Sequence, residues 1–209
     1  MKDESTAREW VRAKFDVPRE TMERFDTFEM MLGDENQLQN LVSQGSLNAF
    51  WARHIADSAQ LVALAPPSAS WIDLGTGAGF PGLVVAALHN GPVTLVEERR
   101  LRVEFLRRAA LLLDVADKVE VIGARAERVA PRPFDVISAR AFAPLPTLLE
   151  LGTRFSTAKT RWILPKGRNA RTELASVEST WQGDFRIEPS VTDPAAGIIV
   201  AEGVKRKRA

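Results

Sequence analysis

The chain has no cysteine, which excludes disulfides, thiolate metal sites and every enzyme class that attacks through sulfur. It has only two histidines; without cysteine these make a poor ligand set, so no metal site is expected. No apolar run approaches a membrane span, and residues 1–30 hold none long enough for a signal peptide. The expected setting is cytoplasmic, with no membrane partner. The formal net charge of +1 is too small to mark a nucleic-acid binder. Its distribution is uneven. Acidic residues are frequent before residue 36, whereas arginines gather at Arg99–Arg100, Arg107–Arg108, Arg125, Arg128, Arg132 and Arg140, and the tail reads Lys205-Arg206-Lys207-Arg208. A cluster of this kind is usually a solvated face, but several downstream of one ligand turn favour a polyanion.

What is present is enough for a real core. At 209 residues and 45% hydrophobic content, the chain fits one full α/β domain with a smaller appendage. Residues 1 to about 65 read as helical, with apolar positions at Phe25, Phe28, Met31 and Leu32 and again at Phe50, Ile55, Ala59 and Val62. Gly33-Asp34-Glu35-Asn36 and Gln44-Gly45-Ser46 read as breaks, and Ala65-Pro66-Pro67-Ser68-Ala69-Ser70 as a linker. The expected division is a helical appendage at 1–68 and a ligand-binding domain at 69–209. Strands are expected near 70–74, 93–97, 118–122, 134–138, 161–165, 185–190 and 197–202. Helices are expected near 81–89, 99–113, 144–154 and 169–180. Such alternation implies a parallel sheet covered on both faces, closed by an antiparallel hairpin where the last helix is missing.

The strongest local signal is Trp71-Ile72-Asp73-Leu74-Gly75-Thr76-Gly77-Ala78-Gly79-Phe80-Pro81-Gly82, an apolar strand entering a glycine turn that opens a helix. Dinucleotide sites place a third glycine where Phe80 stands. Glycines at Gly75, Gly77 and Gly79 instead resemble the first motif of S-adenosylmethionine (AdoMet) methyltransferases. With seven strands, the resemblance implies the class I Rossmann-like fold with AdoMet as cofactor. Asp73 either braces the turn or meets the cofactor directly. Glu97 ends the second strand about 20 residues on, where an acid accepts from ribose hydroxyls; strand alternation favours it over Glu98. Ala126 and Glu127, after the third strand, are candidates for the adenine edge. Phe80 is a candidate to pack over the methionine end, and Pro81 suits a first helical turn.

The segment after the fourth strand, Ser138-Ala139-Arg140-Ala141-Phe142-Ala143, lacks the Asn/Asp-Pro-Pro-aromatic motif of amino-group methyltransferases, and cytosine-C5 chemistry needs an absent cysteine. Acceptors that need neither device remain, such as a ring nitrogen with a free lone pair. Five segments together resemble one family: Asn40-Leu41, Arg53-His54-Ile55-Ala56-Asp57-Ser58, the glycine turn, Arg125-Ala126-Glu127 with Arg140-Ala141-Phe142-Ala143, and Leu164-Pro165-Lys166-Gly167. This is the bacterial small-subunit rRNA guanine-N7 methyltransferase family, RsmG or glucose-inhibited division protein B. The likeness spans roughly residues 36–170. Val42-Ser43 stands where the family's threonine follows Asn-Leu, and Pro194-Ala195-Ala196-Gly197 where some members carry arginine.

The resemblance implies methyl transfer to guanine N7 in 16S rRNA, with the rRNA or small subunit as partner and a monomeric enzyme. Guanine N7 is already nucleophilic, so in-line positioning can carry the chemistry. The site residues then take implied roles. Arg140 binds either the cofactor or guanine O6 or a phosphate, but not N7, which a bidentate arginine would mask. His54 and Asn40 position the substrate, Lys166 meets an RNA phosphate, and Phe142 stacks on a base or packs under its loop. A small-molecule or protein methyltransferase, or a silent nucleotide-binding module, is the competing reading.

Overall fold

The structure is a computed structural model that describes residue 1 and residues 3–207; Arg208 of the basic tail lies outside the described residues. Seven strands form one sheet in the order β3-β2-β1-β4-β5-β7-β6. They are β1 (Trp71–Leu74), β2 (Val93–Glu97), β3 (Val119–Gly123), β4 (Val136–Ser138), β5 (Arg161–Gly167), β6 (Trp181–Pro189) and β7 (Gly197–Arg206). The first five run parallel, and β7 lies antiparallel between β5 and β6. This is the Rossmann-like class I methyltransferase fold. From β1 the chain steps outward to β2 and β3, then returns to pair β4 on the other side of β1. The strand order therefore switches between β1 and β4, and the crevice beyond their carboxyl ends is where such sheets bind ligands.

Alternation along the strands feeds two cores. Trp71, Val93, Leu95 and Val136 face one layer, with helices α5 (Gly82–Leu88) and α6 (Arg100–Leu112). Ile72, Leu74, Val96 and Ile137 face the other, under α7 (Leu145–Gly152) and α8 (Ala170–Ala175). Both layers exclude water, so β1 and β2 are buried at every position, as continuous apolar strands require. Asp73 and Glu97 share the parity of Trp71 and Leu95, which turns both carboxylates toward the layer that also holds the N-terminal helices.

Those helices are α1 (Glu4–Phe15), α2 (Arg19–Gln39), α3 (Gln44–Leu47), a π-helical segment at Trp51–Ala56, and α4 (Asp57–Val62). On α2 the buried stripe runs through Met22, Phe25, Phe28, Leu32 and Glu35. Phe28 stacks on Phe105 of α6 and tilts against Phe80, with centroids 6.1 and 5.6 Å apart. The helices from Glu4 to Val62 thus share one hydrophobic core with the sheet, and truncating a ring such as Phe28 costs about 3–5 kcal/mol.

The two expected breaks are not where the glycines suggested. The α2 helix runs through Gly33 to Gln39 because Leu32 and Glu35 keep the stripe inward and Glu35 pairs with Arg108 of α6. That tertiary anchoring outweighs the roughly 1 kcal/mol cost of a helical glycine. The chain turns instead at Asn40, in the left-handed region at φ 47°, where the Asn36 side chain accepts from the Val42 N–H at 2.8 Å. The second glycine lies inside α3, which the Ser43 hydroxyl caps. Further on, the five-residue step from Phe50 to Ile55 exceeds an α-helical turn. The π-segment absorbs it, and Glu4 caps its start by accepting from the N–H groups of Trp51 and Ala52 at 2.8 and 3.0 Å.

Candidate active site

The turn after β1 has Gly75 at φ 66° and Gly77 at φ 61°, conformations that side chains rarely tolerate. They differ in their surroundings. A Cβ on Gly75 would sit 2.2 Å from the Phe142 ring, whereas one on Gly77 meets nothing closer than 3.9 Å. Asp73 braces this turn from below. Its Oδ2 accepts from the Gly82 N–H at 3.0 Å, and its Oδ1 from the Ser138 hydroxyl at 2.7 Å. The Ser138 oxygen in turn accepts from the Trp71 indole at 2.8 Å. Of the two roles open to Asp73, the geometry supports bracing. Complete burial raises its pKa to about 6 against those hydrogen bonds.

Beside the turn is a cavity of about 380 Å³ whose walls include Gly75, Glu97, Arg102, Ala126, Glu127 and Phe142. That size suits a nucleoside-sized ligand. Glu97 is held in place by backbone amides: Oε2 accepts from Gly77 N–H at 3.1 Å and Oε1 from Arg99 N–H at 2.9 Å. Each carboxylate oxygen keeps a second lone pair for a ribose hydroxyl. Glu98 instead pairs with Arg125 at the surface. Arg102 brings Nη1 within 3.8 Å of Glu97, and its buried Nε has no partner among the described residues. The wide-φ turn, the partly free acid and the cavity fit an adenosine moiety.

Across the crevice stands a second cluster. His54 lies on the π-segment, nearly fully buried, with its ring stacked on Phe80 at 4.5 Å and 22°. Arg140, beyond β4, sets its guanidinium 5.4 Å from the centroid of the same Phe80 ring. It donates to the Arg53 carbonyl at 3.0 Å and meets His54 Nδ1 at 3.3 Å. Burial, with the Arg140 and Arg53 charges, drops the His54 pKa to about 3, so the imidazole is neutral. Arginine can only donate, so Nδ1 accepts and the proton resides on Nε2. That Nε2 is buried without a partner among the described residues.

The crevice thus brings together Gly75, Gly77, Glu97, Ala126 and Glu127 on one side and His54 and Arg140 on the other. Three predicted residues fall elsewhere. Phe80 is not a wall of the cavity: it is core, 2% exposed, held by His54, Phe28 and Phe50. Lys166 does not reach out to solvent. Its side chain is 8% exposed, paired with Glu173 at 2.9 Å and donating to the Ala143 carbonyl at 3.0 Å. It is drawn inward because both partners lie beside the end of β5. Asn40 lines a separate open groove with Asn36, Gln37 and Gln44. Phe142 combines its two expected placements, as a cavity wall packed over Gly75.

Most arginine clusters are spent on internal pairs: Arg100 with Glu104, Arg108 with Glu35, Arg125 with Glu98 and Arg132 with Glu120. Trp51, Trp162 and Trp181 are core residues. Sequence reasoning missed Arg102 and Asp57. The latter faces Arg140 at 3.6 Å and stands three residues after His54, one helical turn along, a spacing that placed it within reach. Among the described residues no cluster of His, Asp and Glu forms a metal-ligand set.

The family model described as GidB, rRNA small subunit methyltransferase G, matches residues 21–195. A protein of Rhizorhabdus wittichii named Ribosomal RNA small subunit methyltransferase G is 51% identical over 205 residues, covering 97% of this chain and 94% of its own. One of the same name from Sphingopyxis alaskensis is 52% identical over 206 residues, covering 97% and 88%. Among solved structures, the O-methyltransferase from Bacillus cereus in complex with SAH superposes with a TM-score of 0.58 at 18% identity, covering 85% of this chain and 90% of that one. The M. jannaschii TYW2 in complex with AdoMet gives 0.57 at 13% identity, covering 81% and 80%. These two likenesses speak for the fold alone.

Proposed function

Because the chain belongs to the GidB family, rRNA small subunit methyltransferase G, we propose that it transfers a methyl group from AdoMet to N7 of a guanine in 16S rRNA. AdoMet-dependent rRNA methylation follows from the family; the acceptor atom is argued from the site. The observation that carries it is the absence of a usable base on the His54 side. His54 has its Nδ1 lone pair committed to Arg140 and a pKa near 3. Asp73 is fully buried, with both oxygens engaged. Neither group is placed to take a proton from an amine or hydroxyl acceptor, and the remaining carboxylate, Asp57, faces the Arg140 cation with Oδ2 and is engaged by Thr192 and Gln60 at Oδ1. Guanine N7 presents an in-plane lone pair and needs no deprotonation.

When bound, AdoMet supplies an electrophilic methyl on its sulfonium. The chain's own residues bind and orient. Gly75 and Gly77 let the backbone approach, Glu97 accepts from ribose hydroxyls, and Ala126 and Glu127 take the adenine edge. Arg140, whose neighbours Ala141 and Phe142 wall the cavity, orients the base through O6 or a flanking phosphate, leaving N7 open. His54 Nε2–H offers a second donor toward the base. Exposed Arg99 and Arg168, just past the carboxyl ends of β2 and β5, and exposed Arg53, whose carbonyl meets Arg140 beyond β4, supply phosphate contacts that fix register. Asn40 serves the substrate from its separate groove. In this reading residues 1–68 act as a helical appendage on a catalytic domain at 69–209, and the enzyme works as a monomer in the cytoplasm. No described helix is long and apolar enough to cross a membrane.

The test incubates the protein with labelled AdoMet and small subunits, free rRNA or a metabolite mixture, followed by nucleoside analysis. Label in 7-methylguanosine from rRNA is expected. Label in another nucleoside would overturn the acceptor. Label confined to small molecules or protein would establish the competing methyltransferase, and binding without transfer a silent module.

A further inference from the structure

Arg140 is steered by a carboxylate that two distant segments hold in place. Its Nη1 lies 3.6 Å from Asp57 Oδ2, a charge contact longer than a hydrogen bond. Asp57 Oδ1 accepts from the Thr192 hydroxyl at 2.7 Å and the Gln60 amide at 3.0 Å. Gln60 is itself tied to the loop between β6 and β7: its Oε1 accepts from Val191 N–H at 2.9 Å, and its Nε2 donates to Ser190 Oγ at 3.2 Å. Ser190 and Thr192 join hydroxyls at 2.8 Å. A loop 135 residues away in sequence therefore fixes the orientation of Asp57.

Anchoring the loop alone would not need a charge, since an asparagine carbonyl accepts from Thr192 and Gln60 equally well. The second oxygen is what a bare anchor leaves unexplained. Oδ2 is free of the clamp and faces the guanidinium, balancing a cation that would otherwise drift toward solvent or the His54 ring. With Nη1 held between Asp57 Oδ2 and the Arg53 carbonyl, Nη2 is aimed at His54 Nδ1. That contact puts the imidazole proton on Nε2, the buried donor with no partner among the described residues.

We propose that Asp57, clamped by Thr192 and Gln60, is a positioning residue that sets the Arg140 guanidinium and, through it, the Nε2–H tautomer of His54. The proposal rests on the reading of Arg140 as part of the methyl-transfer site. It makes the β6–β7 loop a determinant of how the target base is held, without touching the cofactor cavity.

The experiment compares Asp57→Asn, Asp57→Glu, Thr192→Val, Arg140→Ala and the Asp57→Asn/Arg140→Ala double variant in the full-length protein. It reads single-turnover methylation of small subunits, AdoMet affinity, and the His54 tautomer by heteronuclear NMR of the imidazole nitrogens. Asp57→Asn is expected to lower turnover roughly 10- to 100-fold, as a small misplacement of a positioning group does. AdoMet affinity stays unchanged and a Nδ1–H population appears at His54. Asp57→Glu, which keeps the charge, recovers part of the rate. Thr192→Val shifts rate and tautomer in the same direction by a smaller factor, and decides the matter if Asp57→Asn does not fold. In the Arg140→Ala background, Asp57→Asn adds nothing, because it acts through the missing group. An Asp57→Asn enzyme with wild-type turnover and a single Nε2–H tautomer overturns the proposal. So does a loss that multiplies with that of Arg140→Ala. Wild-type turnover in Arg140→Ala would instead sink the site reading on which the proposal stands.

Discussion

On the Glu97 side of the crevice, polar groups border an open cavity and are held by backbone amides; on the His54 side they pack against the Phe80 ring and are held mainly by other side chains, with the Arg53 carbonyl. Glu97 takes its two hydrogen bonds from Gly77 and Arg99 N–H groups, which any chain with the same turn provides. His54 and Arg140 depend on Phe80, Asp57 and the Arg53 carbonyl, contacts made only by this combination of residues. Backbone geometry survives sequence change, and side-chain clusters do not. Solved structures at 13% and 18% identity share the sheet. In the proposed function, donor binding belongs to one wall and acceptor choice to the other.

The largest expected effect breaks the first wall. Gly75→Val adds a branched side chain at φ 66°, with its Cβ against the Phe142 ring. Displacing the Phe142 ring into the cavity is expected to weaken AdoMet binding by about 100-fold or more, while the φ strain of about 1–3 kcal/mol appears separately as lost stability. Equilibrium titration checks this, and near-native affinity would disprove the cavity assignment. Next comes the second wall: Arg140→Ala is expected to lower single-turnover methylation by about 10²- to 10³-fold, the usual cost of removing one preorganised donor. A near-native rate would dissolve the contrast between the walls.

Lys166→Met removes the cation from the Glu173 carboxylate, which keeps only the Leu145 N–H, and takes a donor from the Ala143 carbonyl. It should cost about 1–3 kcal/mol of stability, visible as a lower Tm, with rRNA affinity unchanged. Weaker rRNA binding at constant Tm would restore a phosphate contact. The smallest effect lies in pH. The His54 pKa falls from 6.5 to about 3, so its contribution to stability is present above pH 6.5 and is lost as pH falls below that. The Asp73 pKa rises from 3.8 to about 6, so its contribution is present below pH 3.8 and is lost as pH rises through about 6. Between those limits the two oppose each other. Asp73→Asn keeps a carbonyl to accept from the Gly82 N–H and buries no charge, while its amide donates to Ser138 Oγ in place of accepting from it. Its stability should fall more steeply than wild type between about pH 6 and pH 4, as denaturant midpoints would record; a parallel slope would contradict the Asp73 shift.

The two walls also differed in how legible they were. Gly75, Gly77 and Glu97 announce themselves because a turn and a strand end impose residue types at fixed offsets, and the sheet was readable from the same alternation. The expected breaks in the helical region failed where tertiary contacts such as Glu35–Arg108 overrode a local glycine. On the other wall, His54 and Arg140 were nameable singly through a family resemblance, but their contact across 86 positions was not. Phe80 and Lys166 were misplaced because a motif states adjacency in sequence and says nothing of which way a side chain turns. The Asp57–Thr192 bond joins segments that no local pattern connects.

Separable walls are tested most directly by titrating AdoMet into the wild type and into Arg140→Ala. Superimposable binding curves are expected for two proteins whose methylation rates differ by about 10²-fold or more. Affinity that falls in step with turnover would place Arg140 on the donor wall and contradict the division.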